Sequence, residues 1–176
     1  YGRLLDDIDR CTLLDIRLNH HTTARPGVPA TTILHGDYRR WFAQTAHAAA
    51  AQPVAGRIAY VGLVRRYKGV EGLVRAFRHM DDATATLHIA GRPSSDDLRD
   101  LLERAAKDDP RITVDPRYLD ESELVEAVTS AQLVVLPYRH MHNSGTVLAA
   151  LSLGRPVLVP DTAVNRALAA EVGEAL

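Results

Sequence analysis

The chain has 176 residues, 46% hydrophobic and 24% charged, with a net charge of −1. That balance fits an ordinary soluble globular protein and excludes a global electrostatic pull toward nucleic acid or an anionic membrane. A single cysteine, Cys11, excludes an internal disulfide and a cysteine-rich metal framework; it reads as a small, partly buried apolar residue.

The opening YGRLLDDIDR lacks an initiator methionine and a signal-peptide pattern. We expect a fragment of an intracellular protein. The first ten residues are predicted to form a helix packing Leu4, Leu5 and Ile8. CTLLDIRL and ATTILHGDY are predicted strands, the second ending at Gly36, and the alanine-rich AQTAHAAAAQPVAG is predicted as a linker or short surface helix. Residues 1–52 therefore read as the end of a preceding N-terminal domain plus its linker. Residues 53–176 read as a second domain without its final C-terminal elements.

From Ile58 onward the pattern alternates. RIAYVGL is a buried strand, followed by a helix with Val70, Leu73, Val74, Phe77 and Met80 on one face. TATLHIAG is the next strand. The following helix buries Leu98, Leu101, Leu102 and Ala105 and places Asp96 and Asp97 in its first turn, where carboxylates suit the dipole. RITVD is a strand ended by Pro116, and Asp120 and Glu123 have capping-box spacing before Leu124, Val125 and Val128. AQLVVLP is a strand buried on both faces, SGTVLAALSLG a helix closed by Gly154, RPVLVP a further strand, and a last helix runs from Val164 to Val172. Strict alternation implies a Rossmann-like, doubly wound parallel sheet with helices on both faces. Ligands bind such sheets beyond the carboxyl ends of the strands. The turns after YVGL, LHIAG, TVDP and VVLPY should therefore form one rim.

Two places on that rim suit anions. In VGLVRRYKG, Gly62 permits close backbone approach, and Arg65 and Lys68 stand just before a helix start with free N–H groups. Arg66 reads as solvated. In NSGT, Asn143 or Ser144 caps the next helix, Gly145 uncovers its first-turn amides, and the hydroxyls of Ser144 and Thr146 add donors. An ordinary N-cap needs only one of these residues. Together the two places suggest a diphosphate held between two helix starts. No dinucleotide or P-loop motif and no nucleophile elbow occurs. His20–His21 and His140/His142 have no acidic or cysteine context for a metal and read as loop histidines, while Glu71 and Glu126 read as solvated. Tyr67 and Tyr138 fit pocket lining and core packing equally well.

These stretches, with LHIAG and VVLPYRHMHNSGTVLAALSLGRPVLVP, resemble the C-terminal half of retaining glycosyltransferases of the GT-B fold, in the group 1 (family 4) class. The similarity covers Ile58 to the end, and ATTILHGDYRRWF resembles that family's crossing between domains. The resemblance implies a metal-independent hexosyltransferase that uses a GDP- or UDP-linked sugar and no cofactor. It assigns the donor diphosphate to Gly62, Arg65, Lys68, Ser144, Gly145 and Thr146, the sugar or ribose to Asn143, and the base to backbone at Gly91, Arg92, Tyr118 and Leu119. The acceptor, a glycan or glycolipid, would bind the missing N-terminal domain, at the cytoplasmic face of a membrane, and nucleic acid is not a partner. One departure stands out. Aligned on LGRPV, the positions of the family's two usual glutamates hold Met141 and Ala149. That vacancy supports a different class, a non-catalytic nucleotide- or sugar-phosphate-binding module. A receiver-type domain ranks last, because its strand ends need clustered acidic residues.

Overall fold

The computed structural model describes residues 2–139 and 143–173, with backbone alone for residues 2–5. Helix α1 (Gly2–Cys11) leads into two short strands, β1 (Asp15–Arg17) and β2 (Ala30–Thr32), and then helix α2 (Arg39–Ala49). The alternating part follows as β3 (Arg57–Val61), α3 (Val70–Arg78), β4 (Thr86–Ala90), α4 (Asp96–Asp108) and β5 (Ile112–Asp115). It continues through α5 (Glu121–Thr129), β6 (Leu133–Val135), α6 (Gly145–Ser152), β7 (Val157–Leu158) and α7 (Ala163–Val172).

Strands β3 to β7 form one parallel sheet in the order β5-β4-β3-β6-β7. The order reverses at β3, with β4 on one side and β6 on the other. Right-handed crossovers therefore put α3 and α4 on one face of the sheet and α5 and α6 on the opposite face. Burial on both faces explains the continuous apolar strands: Ala59, Tyr60 and Val61 of β3 and Leu87 and Ile89 of β4 have no exposed surface. Val70, Val74 and Phe77 cover one side from α3, and Val125 and Val128 cover the other from α5. Asp120 and Glu123 close a complete capping box at the start of α5, with N···O distances of 2.9 Å in both directions.

The first part differs from its sequence reading in several places. β1 and β2 are only three residues each and pair in parallel as a separate small sheet. Leu13, Ile16, Ile33 and Leu34 around it are exposed. Of the two forms expected for the alanine-rich segment, its first part takes the helical one. Its helix begins earlier, at Arg39, buries Phe42 and packs along α5, where Trp41 Nε1 donates to Glu121 at 2.7 Å and Thr45 bonds the same carboxylate. Cys11 is exposed, not partly buried. Glu71 is half-buried rather than solvated, drawn in by Arg66 at 2.9 Å. His140, Met141 and His142 lie outside the described residues.

Candidate functional site

The strand order reverses between β3 and β6, and both anion-suited stretches lie at the carboxyl ends of these two neighbours. Sheet topology thus brings residues 62–68 and 143–146 to one crevice.

The β3 side is tied to β4. Gly62 N–H donates to Ala90 O at 2.9 Å, Val64 N–H to Arg92 O at 3.0 Å and Ser94 N–H to Val64 O at 3.0 Å. Val64 is fully buried, so the turn is strapped down before its cations emerge. Gly91 makes this close pairing possible. At φ 149° it has a backbone that side chains avoid, and a Cβ there would collide with the Gly62 carbonyl. Arg65 is extended and exposed, and its carbonyl accepts from Lys68 N–H at 2.9 Å. Arg66 is exposed as expected, but it is engaged by Glu71 at 2.9 Å and Asp97 at 3.5 Å. Of the three cations, Arg66 is the one committed to carboxylates.

Lys68 is half-buried, and its Nζ lies 4.9 Å from the centre of the Tyr138 ring. Burial, and secondarily the neighbouring Arg65, lowers its pKa below the usual lysine value. A buried amine beside a second cation gains most when an anion arrives. Tyr138 is buried while Tyr67 is exposed, which separates the two tyrosines that the sequence left equivalent. The Tyr138 hydroxyl has no hydrogen-bond partner among the described residues, and burial raises its pKa despite nearby Thr146 and Ser144.

The β6 side is joined to the same turn. Arg139 N–H donates to Tyr67 O at 2.9 Å. Gly69, at φ 74°, lies so close to Pro137 that a Cβ would strike the proline carbonyl. Helix α6 starts beyond, with Ser144 Oγ accepting from Val147 N–H at 3.3 Å. Ser144 therefore does the capping, and helix geometry leaves the Gly145 and Thr146 amides free of intrahelical partners. A Cβ on Gly62 would stand 3.4 Å from Thr146 Oγ1, so the two stretches face each other directly. The crevice thus combines Arg65, Lys68, two helix amides and the Ser144 and Thr146 hydroxyls, a donor set for a diphosphate.

The remaining expected positions surround this centre. Gly91 is buried, Arg92 exposed, Leu119 half-buried and Tyr118 exposed. Arg117 is held by Asp115 at 3.0 Å and Glu123 at 2.7 Å, which raises its pKa further and depresses that of Glu123. Asn143 is exposed and accepts from Asn19 Nδ2 at 3.0 Å. Ala149 is buried in α6 as part of the hydrophobic core. Sequence reasoning missed Asn19 and Tyr38, which come from the first part of the chain. The Tyr38 amide donates to Ser152 Oγ at 2.9 Å, and its hydroxyl lies against Gly145. The only sequence signal was the ILHGDY crossing motif.

A family model described as glycosyl transferases group 1 matches residues 55–175. The chain belongs to this family. It is 47% identical over 171 residues to GDP-mannose:glycolipid 4-beta-D-mannosyltransferase of Xanthomonas campestris pv. campestris, across 97% of this chain and 48% of that protein. The chain thus spans about half the length of the curated relatives it matches. WaaG, a glycosyltransferase involved in lipopolysaccharide biosynthesis, superimposes with a TM-score of 0.61 at 19% identity, over 92% of this chain and 49% of its own. The C-terminal domain of a group 1 family protein from Francisella tularensis superimposes with a TM-score of 0.52 at 17% identity, over 71% of this chain and 65% of its own. These likenesses establish the Rossmann-like α/β fold, the C-terminal unit of a group 1 glycosyltransferase.

Proposed function

We propose that this chain binds the nucleotide-sugar donor for a glycosyl transfer and holds its diphosphate as the leaving group. The observation that carries this reading is the meeting of the two stretches across the β3–β6 crevice, where a Cβ on Gly62 would stand 3.4 Å from Thr146 Oγ1 and Lys68 Nζ lies 4.9 Å from the Tyr138 ring. Negative charge develops on the departing diphosphate, and fixed cations and amides aimed there stabilise it without reorganising. The same charges can serve where a metal ion otherwise would, and we read the transfer as metal-independent.

The similarity to a GDP-mannose:glycolipid mannosyltransferase supports a guanosine-linked donor and a glycolipid acceptor. A glycolipid acceptor also favours work at a membrane surface; no helix among the described residues is long and apolar enough to cross one. Residues 1–52 would then be the end of an N-terminal acceptor-binding unit and its linker, with α2 docking that linker onto α5.

The stereochemistry is proposed against the family-wide expectation of retention. GDP-mannose carries its sugar α-linked, so forming the 4-β-mannoside in the relative's name requires inversion. Met141 and Ala149 in place of the usual glutamates agree with a changed mechanism. An NMR assignment of the product's anomeric configuration decides this point.

Calorimetry with GDP, UDP and ADP, each with and without a sugar, tests the donor reading. Arg65→Ala and Lys68→Ala should each weaken diphosphate binding about ten- to a hundredfold, the loss of one charge-assisted contact worth about 1.5–3 kcal/mol. Unchanged affinity in both variants removes the assignment. The vacant glutamate positions favour a second reading, a non-catalytic nucleotide-binding module. Sugar transfer by the full-length protein would rule that out.

A further inference from the structure

A cleft of about 130 Å³ separates the crossing segment from α6 and α7. We propose that it receives the acceptor's hydroxyl-bearing sugar ring, and that His35 Nε2 takes the proton of the attacking hydroxyl. This rests on the donor-binding and inversion readings above.

Leu34 and His35 line one wall, and Asn143, Ser144, Leu148 and Leu168 line the other. Asn143 and Ser144 also belong to the helix start that faces Gly62, so a ring in the cleft lies beside the diphosphate site. The lining is apolar in its leucines and polar at its edge, which suits a ring with one C–H face and a rim of hydroxyls. Asn165, only 7% exposed, also contributes to the wall. Its Nδ2 donates to Pro160 O at 2.7 Å, while its Oδ1 has no partner among the described residues. This residue braces the start of α7 behind the cleft, its backbone N–H also bonding Thr162 Oγ1 at 3.2 Å.

His35 is chemically prepared. Its Nδ1 lies 3.0 Å from the Gly36 carbonyl. A carbonyl can only accept, so Nδ1 is the nitrogen that carries hydrogen, and in the tautomer this contact selects the lone pair is on Nε2. Tyr38 sits 5.6 Å away, centre to centre, and its own amide is anchored on α6. The imidazole is thereby fixed relative to the helix that faces the phosphate site. Among the described residues, the other titratable groups facing the cleft are His20 and His21 beyond β1 and Glu171 on α7, all exposed.

Inversion needs a proton acceptor on the side opposite the leaving group. The acceptor oxygen bonds to the anomeric carbon while the carbon–oxygen bond to the diphosphate breaks. That electron pair leaves with the diphosphate, and the hydroxyl proton passes to His35 Nε2.

The test uses the full-length protein, with GDP-mannose as donor and glycolipid as acceptor. His35→Gln and His35→Asn should lower kcat about 10²- to 10⁴-fold and flatten the acid limb of the pH–rate profile. GDP affinity and thermal melting should stay unchanged. Leu148→Trp, which fills the cleft without replacing His35, should raise the acceptor KM at unchanged GDP affinity. An unaltered rate and acid limb in the His35 variants, or an acid limb lost instead in His20→Gln, His21→Gln or Glu171→Gln, overturns the proton acceptor. An unaltered KM in Leu148→Trp overturns the cleft. If the His35 variants weaken GDP-mannose but not GDP, the cleft holds the donor's own sugar and the proposal fails. The Arg65 and Lys68 measurements test the donor reading separately, because they score GDP binding alone.

Discussion

Two glycines set the geometry of the crevice, and each does so through contact rather than flexibility. Gly91 admits the Gly62 peptide, and Gly69 admits the Pro137 carbonyl. Gly91→Ala should cost roughly 3 kcal/mol in urea unfolding, because it combines a disfavoured backbone with a collision against main chain. Lys68 adds a pH signature. Its folded pKa is lowered by burial, so the folded chain gives up this proton before the unfolded chain does. In that alkaline window the unfolded state binds more protons and stability rises with pH. Diphosphate affinity falls there instead, because the bound cation is being lost. Calorimetry across that range should show the fall at lower pH than an ordinary lysine would give, and Lys68→Arg should remove it. Arg65 and Lys68 stood out in the sequence because three cations at one strand end are unusual in a neutral chain. The carboxylate partners that occupy Arg66 were not, since Asp97 reaches it only through the fold.

At the level of elements, the alternating part was legible almost throughout because its central strands, such as β3, are buried on both faces and its helices on one. Those two burial patterns write different periods into the sequence. The capping box at α5 was legible for the same local reason. Asp120→Ala should cost about 1 kcal/mol, read as a lower thermal midpoint without altered nucleotide binding. Helix α2 was not legible at its true length. Its docking partner is α5, far away in sequence, and the contacts that define it run from Trp41 and Thr45 to Glu121. Strands β1 and β2 are shorter than their apolar stretches because a two-stranded sheet gives residues such as Ile33 and Leu34 nothing to cover them.

For the whole molecule, both stretches proposed to grip the donor lie within this chain, while the small β1–β2 sheet leaves its leucines and isoleucines open to solvent. The 176-residue chain should therefore bind nucleoside diphosphate yet transfer sugar poorly beside its full-length parent. Turnover by the chain alone at the parent's rate would contradict the division of labour proposed above. The half of the crevice built by residues 62–68 and 143–146 could be read from motif and topology. The contacts of Asn19 and Tyr38 could not, because they join positions that only folding brings together. The turn that carries Arg65 and Lys68 is fastened through main chain to the segment that follows β6, at Tyr67 with Arg139 and at Gly69 with Pro137. Held to β4 on one side and to the end of β6 on the other, that turn is a floor set in place before any ligand arrives.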